Sequence, residues 1–412
     1  EVNVRQYTPE GTFESFSKHL PRIKDLGVDI IWFMPIHPIG EKNRKGSLGS
    51  YYSVKDYKSI NPEFGTFEEF NALVKKIHDM DMKVIIDWVA NHTAFDNVWI
   101  EEGNYDWYTL DSLGHLQPPI GTDWWDVADL NYDNIDMQNA MIESMKFWLE
   151  MSDIDGFRCD VADWVPISFW EKCRVELETV KNVFMLAEAE NPELHNIAFD
   201  MTYGWHLHFV MNEIAQQKKS SLDIIEYLDT KSKEFNNSDY RLHFTSNHDE
   251  NSWKGCARER LGDAVKTFAA LSSTIEGMPL LYGGQEVGLD KRLKFFEKDT
   301  IIWDNLELSN FYKQLFNLKK DNQALWNGNY GGNIEIISSR EDSLGFSFIR
   351  RKHENKVISI FNLSNKKIEL ELNSANLKGI YNSVFTNDEK IFNENEILEL
   401  DPWQFYIYTN KN

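Results

Sequence analysis

The sequence predicts an α/β fold: a (β/α)8 barrel with an inserted segment after its third strand and a C-terminal antiparallel β-sandwich. Three observations predict it. Short β-type apolar runs alternate with helical patterns from residue 1 to about residue 320, the pattern of parallel strands joined by crossover helices. There are eight such runs, which favours a closed barrel over an open sheet. After Asn327 the pattern becomes short alternating runs with polar turns, as in a two-sheet antiparallel domain.

The runs in order are "EVNVRQYT" (1–8), "VDIIWFMP" (28–35), "MKVIIDWV" (82–89), "IDGFRCD" (154–160), "NVFMLAE" (182–188), "IAFDMT" (197–202), "YRLHFTS" (240–246) and "GMPLLYGG" (277–284). Helical periodicity falls at 13–25, 66–80, 137–151, 167–179 and 309–320. The stretch "AENPELHN" leaves room for about one helical turn. Residues 92–131 hold no good helix and many aromatics, Trp99, Trp107, Tyr108, Trp124 and Trp125 among them. An insertion at the C-terminal end of a barrel strand is where a substrate-shaping loop belongs. The expected domains are therefore 1–92 with 132–327 (barrel), 93–131 (insert) and 328–412 (β-sandwich, from "NIEIISSR" to "QFYIYTN").

A chain of 412 residues with 42% hydrophobic content and a net charge of −23 reads as globular and multidomain. The acidic balance argues against nucleic acid and anionic membrane as partners. Three cysteines are no disulfide framework, and no apolar stretch approaches the roughly 18 residues of a membrane span. No signal peptide is visible, and "EVNVRQYT" reads as a strand already under way, so a leader removed from the true start is compatible with it.

The stretch "DIDGFRCDVAD" (153–163) carries the first chemical clue. In a strand, Arg158 and Asp160 share one face and Phe157 and Cys159 the other. A buried charged pair is costly unless it is paired or used. Working residues of a parallel barrel sit at the C-terminal ends of its strands. Those ends offer Asp87, Asn91 and His92, then Arg158 and Asp160, then Glu188, then His248 and Asp249. Three carboxylates, Asp160, Glu188 and Asp249, thus converge on one mouth. Arg158 keeps Asp160 ionised, and Glu188, facing two anions, is expected to stay protonated. One ionised and one protonated carboxyl is the pair that glycoside hydrolysis needs. Glu190 shares a face with Glu188, and parity alone does not separate them.

Four ordered stretches, "DWVANH" (87–92), "GFRCDVAD" (156–163), "FMLAEAE" (184–190) and "TSNHDE" (245–250), resemble the four motifs of the α-amylase family of glycoside hydrolases. "VADLN" (127–131) resembles its fifth motif, at the end of the inserted domain. "GSYYSVKDYKSINPEFGT" and "GMPLLYGGQE" are similar to further segments, so the likeness runs across nearly the whole chain. The resemblance implies Asp160 as nucleophile, Glu188 as acid/base and Asp249 as the carboxylate that binds sugar hydroxyls and stabilises the transition state. It implies substrate binding by His92, His248 and Arg158, stacking by Tyr52 on the sugar ring, and support of the site by Asp87. A retaining displacement through a glycosyl-aspartate follows, with the two carboxyls about 5–5.5 Å apart.

The sequence also departs from that pattern. Typical α-amylases continue the second motif with a lysine and a histidine, where this chain has Asp163 and Trp164. The run "DVADWVPISFW" is closer to neopullulanases and cyclomaltodextrinases, although "VADLN" lacks the lysine of their fifth motif. Asn91 and Asp129 match calcium-ligating positions of α-amylases, and hard oxygen donors suit that ion. With Trp164 in the histidine's place the set is incomplete. The expectation is hydrolysis of α-1,4-glucosidic bonds in starch and maltooligosaccharides. A neopullulanase or cyclomaltodextrinase type with α-1,6 or transglycosylation activity is the alternative, and a non-catalytic glucan-binding protein the remote one. The partner is an α-glucan and the expected state a monomer. External starch points to a secreted or periplasmic enzyme, short maltodextrins to a cytoplasmic one.

Overall fold

The computed structural model describes residues 1–339 and 342–410. It divides into two compact units, Glu1–Tyr203 with Leu293–Ile302, and Gly204–Arg292 with Trp303–Asn412.

The first unit is organised by parallel strands that neighbour each other almost in chain order. They are β1 (Ile30–Phe33), β2 (Lys83–Trp88), β5 (Gly156–Cys159), β6 (Phe184–Ala187) and β7 (Met201–Tyr203). Trp32 pairs with Ile85, Asp87 with Arg158, Arg158 with Leu186, and Ala187 with Thr202. β2, β5 and β6 are almost wholly buried, as strands covered on both faces are. Between β2 and β5, two short strands, β3 (His92–Ala94) and β4 (Val127–Asp129), pair antiparallel and bracket the aromatic insert. At Gly156 a side chain has no room, since a Cβ there would fall 1.9 Å from the Phe184 carbonyl oxygen.

Helices follow the expected rhythm. Phe67–His78 begins at Thr66, which exchanges hydrogen bonds with Glu69 in a capping box. Ile135–Ser152 and Ile167–Glu178 succeed it. The pattern at 13–25 splits into Phe13–Ser17 and Leu20–Asp25, with Pro21 in the first turn of the second, where proline is tolerated. After β6 there is only the 3-10 turn Pro192–His195.

The first expected strand is not one. Only Val2 bridges Phe33 in parallel, and Val4–Tyr7 then turns helical with all four residues buried. Arg5 donates to the Leu48 and Gly49 carbonyls and pairs with Glu63. Gln6 donates to the Lys294 and Glu297 carbonyls. Those inward polar partners override the alternation of Val2 and Val4.

In the second unit β8 (Tyr240–His243) pairs in parallel with β9 (Met278–Pro279). The helices Trp205–Ala215, Ser221–Glu234, Val265–Thr274 and Ser309–Asp321 lie in this unit. Its C-terminal part has a six-stranded antiparallel sheet. The strands are β10 (Ile334–Ile336), β11 (Gly345–Lys352), β12 (Asn355–Asn362), β14 (Gly379–Ser383), β15 (Glu389–Phe392) and β17 (Phe405–Asn410). β13 (Ile368–Asn373) and β16 (Asn395–Leu400) form a separate pair. β13 alternates strictly between buried and exposed, and its Ile368, Leu370 and Leu372 join Ile349, Ile358 and Ile360 of the larger sheet in one core.

Candidate active site

In the first unit the C-terminal ends of β2, β5 and β6 meet around one guanidinium. Arg158 is fully buried. Its Nη1 lies 2.9 Å from Asp87 Oδ1 and 2.8 Å from Asp160 Oδ1, and its Nη2 lies 2.9 Å from Glu188 Oε2. Its Nε donates to the Tyr203 hydroxyl at 3.2 Å, and the group stands 5.0 Å from the Trp32 ring centroid. Burial works against the charge, but Asp87 and Glu188 lead the groups that hold Arg158 well above its ordinary value.

Sequence parity correctly joins Arg158 to Asp160, with Phe157 turned instead to Trp88. It misses the contact to Glu188. That carboxylate also accepts from the Val161 N–H at 2.9 Å, while the Glu188 carbonyl accepts from Ala162. The sequence sets Glu188 only against two anions; the structure adds a cation and a backbone N–H beside it. Val161 reaches it by adopting φ 37° and ψ 49°, a left-handed conformation rare for a β-branched residue. Nothing in the sequence marks that turn.

Asp87 has no exposed surface. Beside Arg158 it accepts from the Trp32 indole at 3.1 Å and from the Tyr52 hydroxyl at 3.0 Å. Arg158, expected among the substrate-binding groups, and Asp87, expected to support the site, are both buried and paired with each other. Tyr52 keeps 9% exposure and lies nearly parallel to Phe295, 6.3 Å between centroids. Trp32, Tyr203 and Phe295 are site residues that the sequence reading did not name. A buried indole or phenol needs a polar partner, and that was the available signal for the first two.

His92 is buried, 3.2 Å from the Asn91 amide and packed against Trp124. Burial pushes its imidazole down to about 3, against a smaller upward pull from its hydrogen bond to the Tyr52 backbone. It is therefore neutral at ordinary pH. Trp124 in turn stacks on Trp164, 5.2 Å apart and 21° from parallel. Trp164 is half exposed.

His248 and Asp249 belong to the second unit, beyond the C-terminal end of β8. His248 is buried, with Nε2 3.4 Å from Asp249 Oδ2, and the Asp249 side chain is 39% exposed. A π-helical turn, Glu250–Lys254, starts directly after them.

Residues 5–325 match the family described as alpha amylase, catalytic domain. The chain belongs to the alpha-amylase family. It is thereby a glycoside hydrolase, and it is similar to Alpha-amylase 2 of Dictyoglomus thermophilum, 23% identical over 407 residues, 92% of this chain and 69% of the relative. It is 26% identical over 391 residues to a cyclomaltodextrinase of Thermoanaerobacter pseudethanolicus, 89% of this chain and 66% of that one. Among solved structures, a noncanonic maltogenic alpha-amylase, AmyB from Thermotoga neapolitana, superposes with a TM-score of 0.90 at 27% identity. That likeness covers 99% of this chain and 96% of the other, and with it stands the fold class, a barrel with an insert and a C-terminal β domain. No helix among the described residues is long and apolar enough to cross a membrane.

The calcium positions of α-amylases are poorly furnished here. Asn91 turns its amide nitrogen to His92. Asp129 lies opposite His92 in the β3–β4 pair, its carboxyl pushed up by burial and contacted by Thr109. Among the described residues no three His, Cys, Asp or Glu side chains gather as a metal site. Calcium takes six to eight oxygens, backbone carbonyls and waters among them, so Asn91 and Asp129 alone would leave most of its shell to other donors.

Proposed function

We propose that this alpha-amylase-family chain is a retaining α-glucan hydrolase acting on maltooligosaccharides and cyclic maltodextrins, in the manner of maltogenic amylases and cyclomaltodextrinases. The observation that carries the mechanism is the placing of Asp160 and Glu188 on adjacent nitrogens of Arg158. Asp160 attacks the anomeric carbon, and the glycosidic C–O bond breaks as Glu188 gives its proton to the leaving oxygen. Glu188 then takes a proton from water, whose oxygen displaces Asp160 from the sugar. Asp249 and His248 bind hydroxyls of the reacting sugar, and Tyr52 stacks on its ring.

The substrate class is supported by the Trp124–Trp164 pair, an aromatic surface at the position where typical α-amylases have a histidine, and by the names of the cyclomaltodextrinase and maltogenic relatives. A starch-cleaving α-amylase is the second reading, favoured by the Dictyoglomus relative. Short maltodextrins go with a cytoplasmic enzyme, starch with a secreted one.

The test is incubation with soluble starch, pullulan and cyclomaltodextrin in parallel, following new reducing ends by NMR beside an Asp160→Asn control. Fastest cleavage of cyclomaltodextrin, with initially α-anomeric products and an inert control, is expected. Preference for starch moves the reading to an α-amylase. Initially β-anomeric products overturn the retaining mechanism.

A further inference from the structure

The segment that carries Asp249 is gripped by two buried side chains from neighbouring helices, Arg260 and His208. Arg260, on the short helix Ala257–Leu261, donates to the Thr245 carbonyl at 2.7 Å and the Gly255 carbonyl at 2.8 Å. One guanidinium thus ties both ends of the stretch 245–255. Its remaining nitrogen, Nη1, donates to Asn212 Oδ1 at 2.7 Å. His208, on Trp205–Ala215, has Nδ1 3.1 Å from the Phe244 carbonyl and Nε2 3.0 Å from Glu250 Oε2. Its ring lies flat on Phe244, 4.6 Å between centroids. Glu250 is also 3.6 Å from Arg260.

Glu250 directly follows Asp249, yet the two differ in exposure. Its residue is 7% exposed, against 39% for the Asp249 side chain. Its own N–H donates to Asn247 Oδ1 at 2.8 Å, and its carbonyl accepts from Gly255. That last bond spans five residues and makes the turn π-helical, a rare form frequently met at functional sites. Burial works against the Glu250 charge, but His208 and Arg260 outweigh it and hold the carboxyl below its ordinary value.

We propose that Glu250, clamped by His208 and Arg260, is a positioning residue that fixes the backbone of Asp249 and so aims its carboxylate at the reacting sugar. This rests on the reading of Asp249 as the third carboxylate. Asp249 supplies the contact to the sugar, and the buried clip supplies its constancy. Misplacing a reacting group by about 1 Å costs up to ~100-fold in rate, so a loosened clip acts on kcat more than on KM.

The experiment is a double-mutant cycle of Glu250→Gln and Asp249→Asn, with α-maltosyl fluoride as substrate, whose leaving group needs no proton. Groups that act through one another are non-additive. Glu250→Gln in the wild-type background is expected to lower kcat by roughly 10–100-fold with KM within about threefold. In the Asp249→Asn background it should change kcat by less than about twofold. Equal losses in both backgrounds, or no loss in the first, overturn the proposal. Arg260→Lys, which keeps the charge but cannot hold both carbonyls, runs in the same cycle should Glu250→Gln fail to fold. If Asp249→Asn is as active as wild type, the reading of Asp249 falls and the clip's role with it. That result is distinct from a faulty clip, in which Asp249→Asn is itself crippled.

Discussion

Replacing Arg158 by methionine removes the cation that Asp87, Asp160 and Glu188 share, while keeping much of its volume. With charge centres about 4 Å apart and an effective dielectric near 20, each lost attraction is worth about 4 kcal/mol. At 1.36 kcal/mol per pH unit, about three units is the ceiling for the shift of any one carboxyl, and roughly 1–3 units is usual beside an arginine. Both limbs of the kcat/KM profile should therefore move to higher pH, the acid limb through Asp160 and the basic limb through Glu188. The fold loses about 3–5 kcal/mol, the cost of stranding one side of a buried ion pair. Arg158→Lys keeps the charge but not the three-way contact, so its limbs should stay near wild type while kcat falls. The assay is a pH series of initial rates, with circular dichroism to show the variants are folded. A folded Arg158→Met enzyme whose limbs have not moved would refute the view that this guanidinium sets the protonation of the pair.

Three other outcomes follow from the same geometry. His37, His92 and His243 are buried, and burial lowers them to about 4, 3 and 3. The unfolded chain then binds protons that the folded one refuses below about pH 6.5, so stability is full above that pH and lost as pH falls toward about 4. The loss is up to ~1.4 kcal/mol per pH unit for each, and equal urea midpoints at pH 7 and pH 5 would show these rings are not held neutral. Trp164→His should lower activity on cyclomaltodextrin relative to starch by about 2–10-fold, the worth of one aromatic contact at ~0.5–1.5 kcal/mol. An unchanged ratio in competition assays would remove the Trp124–Trp164 surface from substrate choice. Dialysis against EDTA should leave the melting temperature within about 1 °C, less than the 2–4 °C that 1 kcal/mol gives in a large domain, and reversal of a larger drop by calcium alone would restore the metal site.

What the sequence made legible was whatever depends on period and neighbours. The strand runs at Ile30, Lys83, Gly156 and Phe184 stand out because buried parallel strands read as continuous apolar stretches. Thr66 with Glu69 announces a helix start three residues apart. Parity puts Arg158 beside Asp160 because both lie at the end of one strand. The failures are all long-range. Val2 and Val4 alternate like a strand, but the fate of Arg5 and Gln6 is decided by carbonyls some 43 to 291 residues away. Tyr203 and Trp32 read as core aromatics, and only the fold reveals that their polar atoms serve Arg158 and Asp87. Glu188 and Glu190 are equivalent by parity, and the bond from Val161 to Glu188 is set by a backbone turn that no local preference favours.

That turn gives Val161 a definite part through its backbone. A non-glycine residue held in the left-handed region costs about 1–3 kcal/mol, and a β-branched one is the least suited to it. The strain persists because residues 161 and 162 present successive N–H groups to one residue, Val161 to the Glu188 side chain and Ala162 to its carbonyl. Asp160, just before them, is tied through its own N–H to the Trp88 carbonyl. The strand-end turn therefore fixes Asp160 and Glu188 relative to one another before any substrate arrives. Constancy between those two carboxyls is what a retaining displacement requires, because the same pair must serve bond breaking and then water attack.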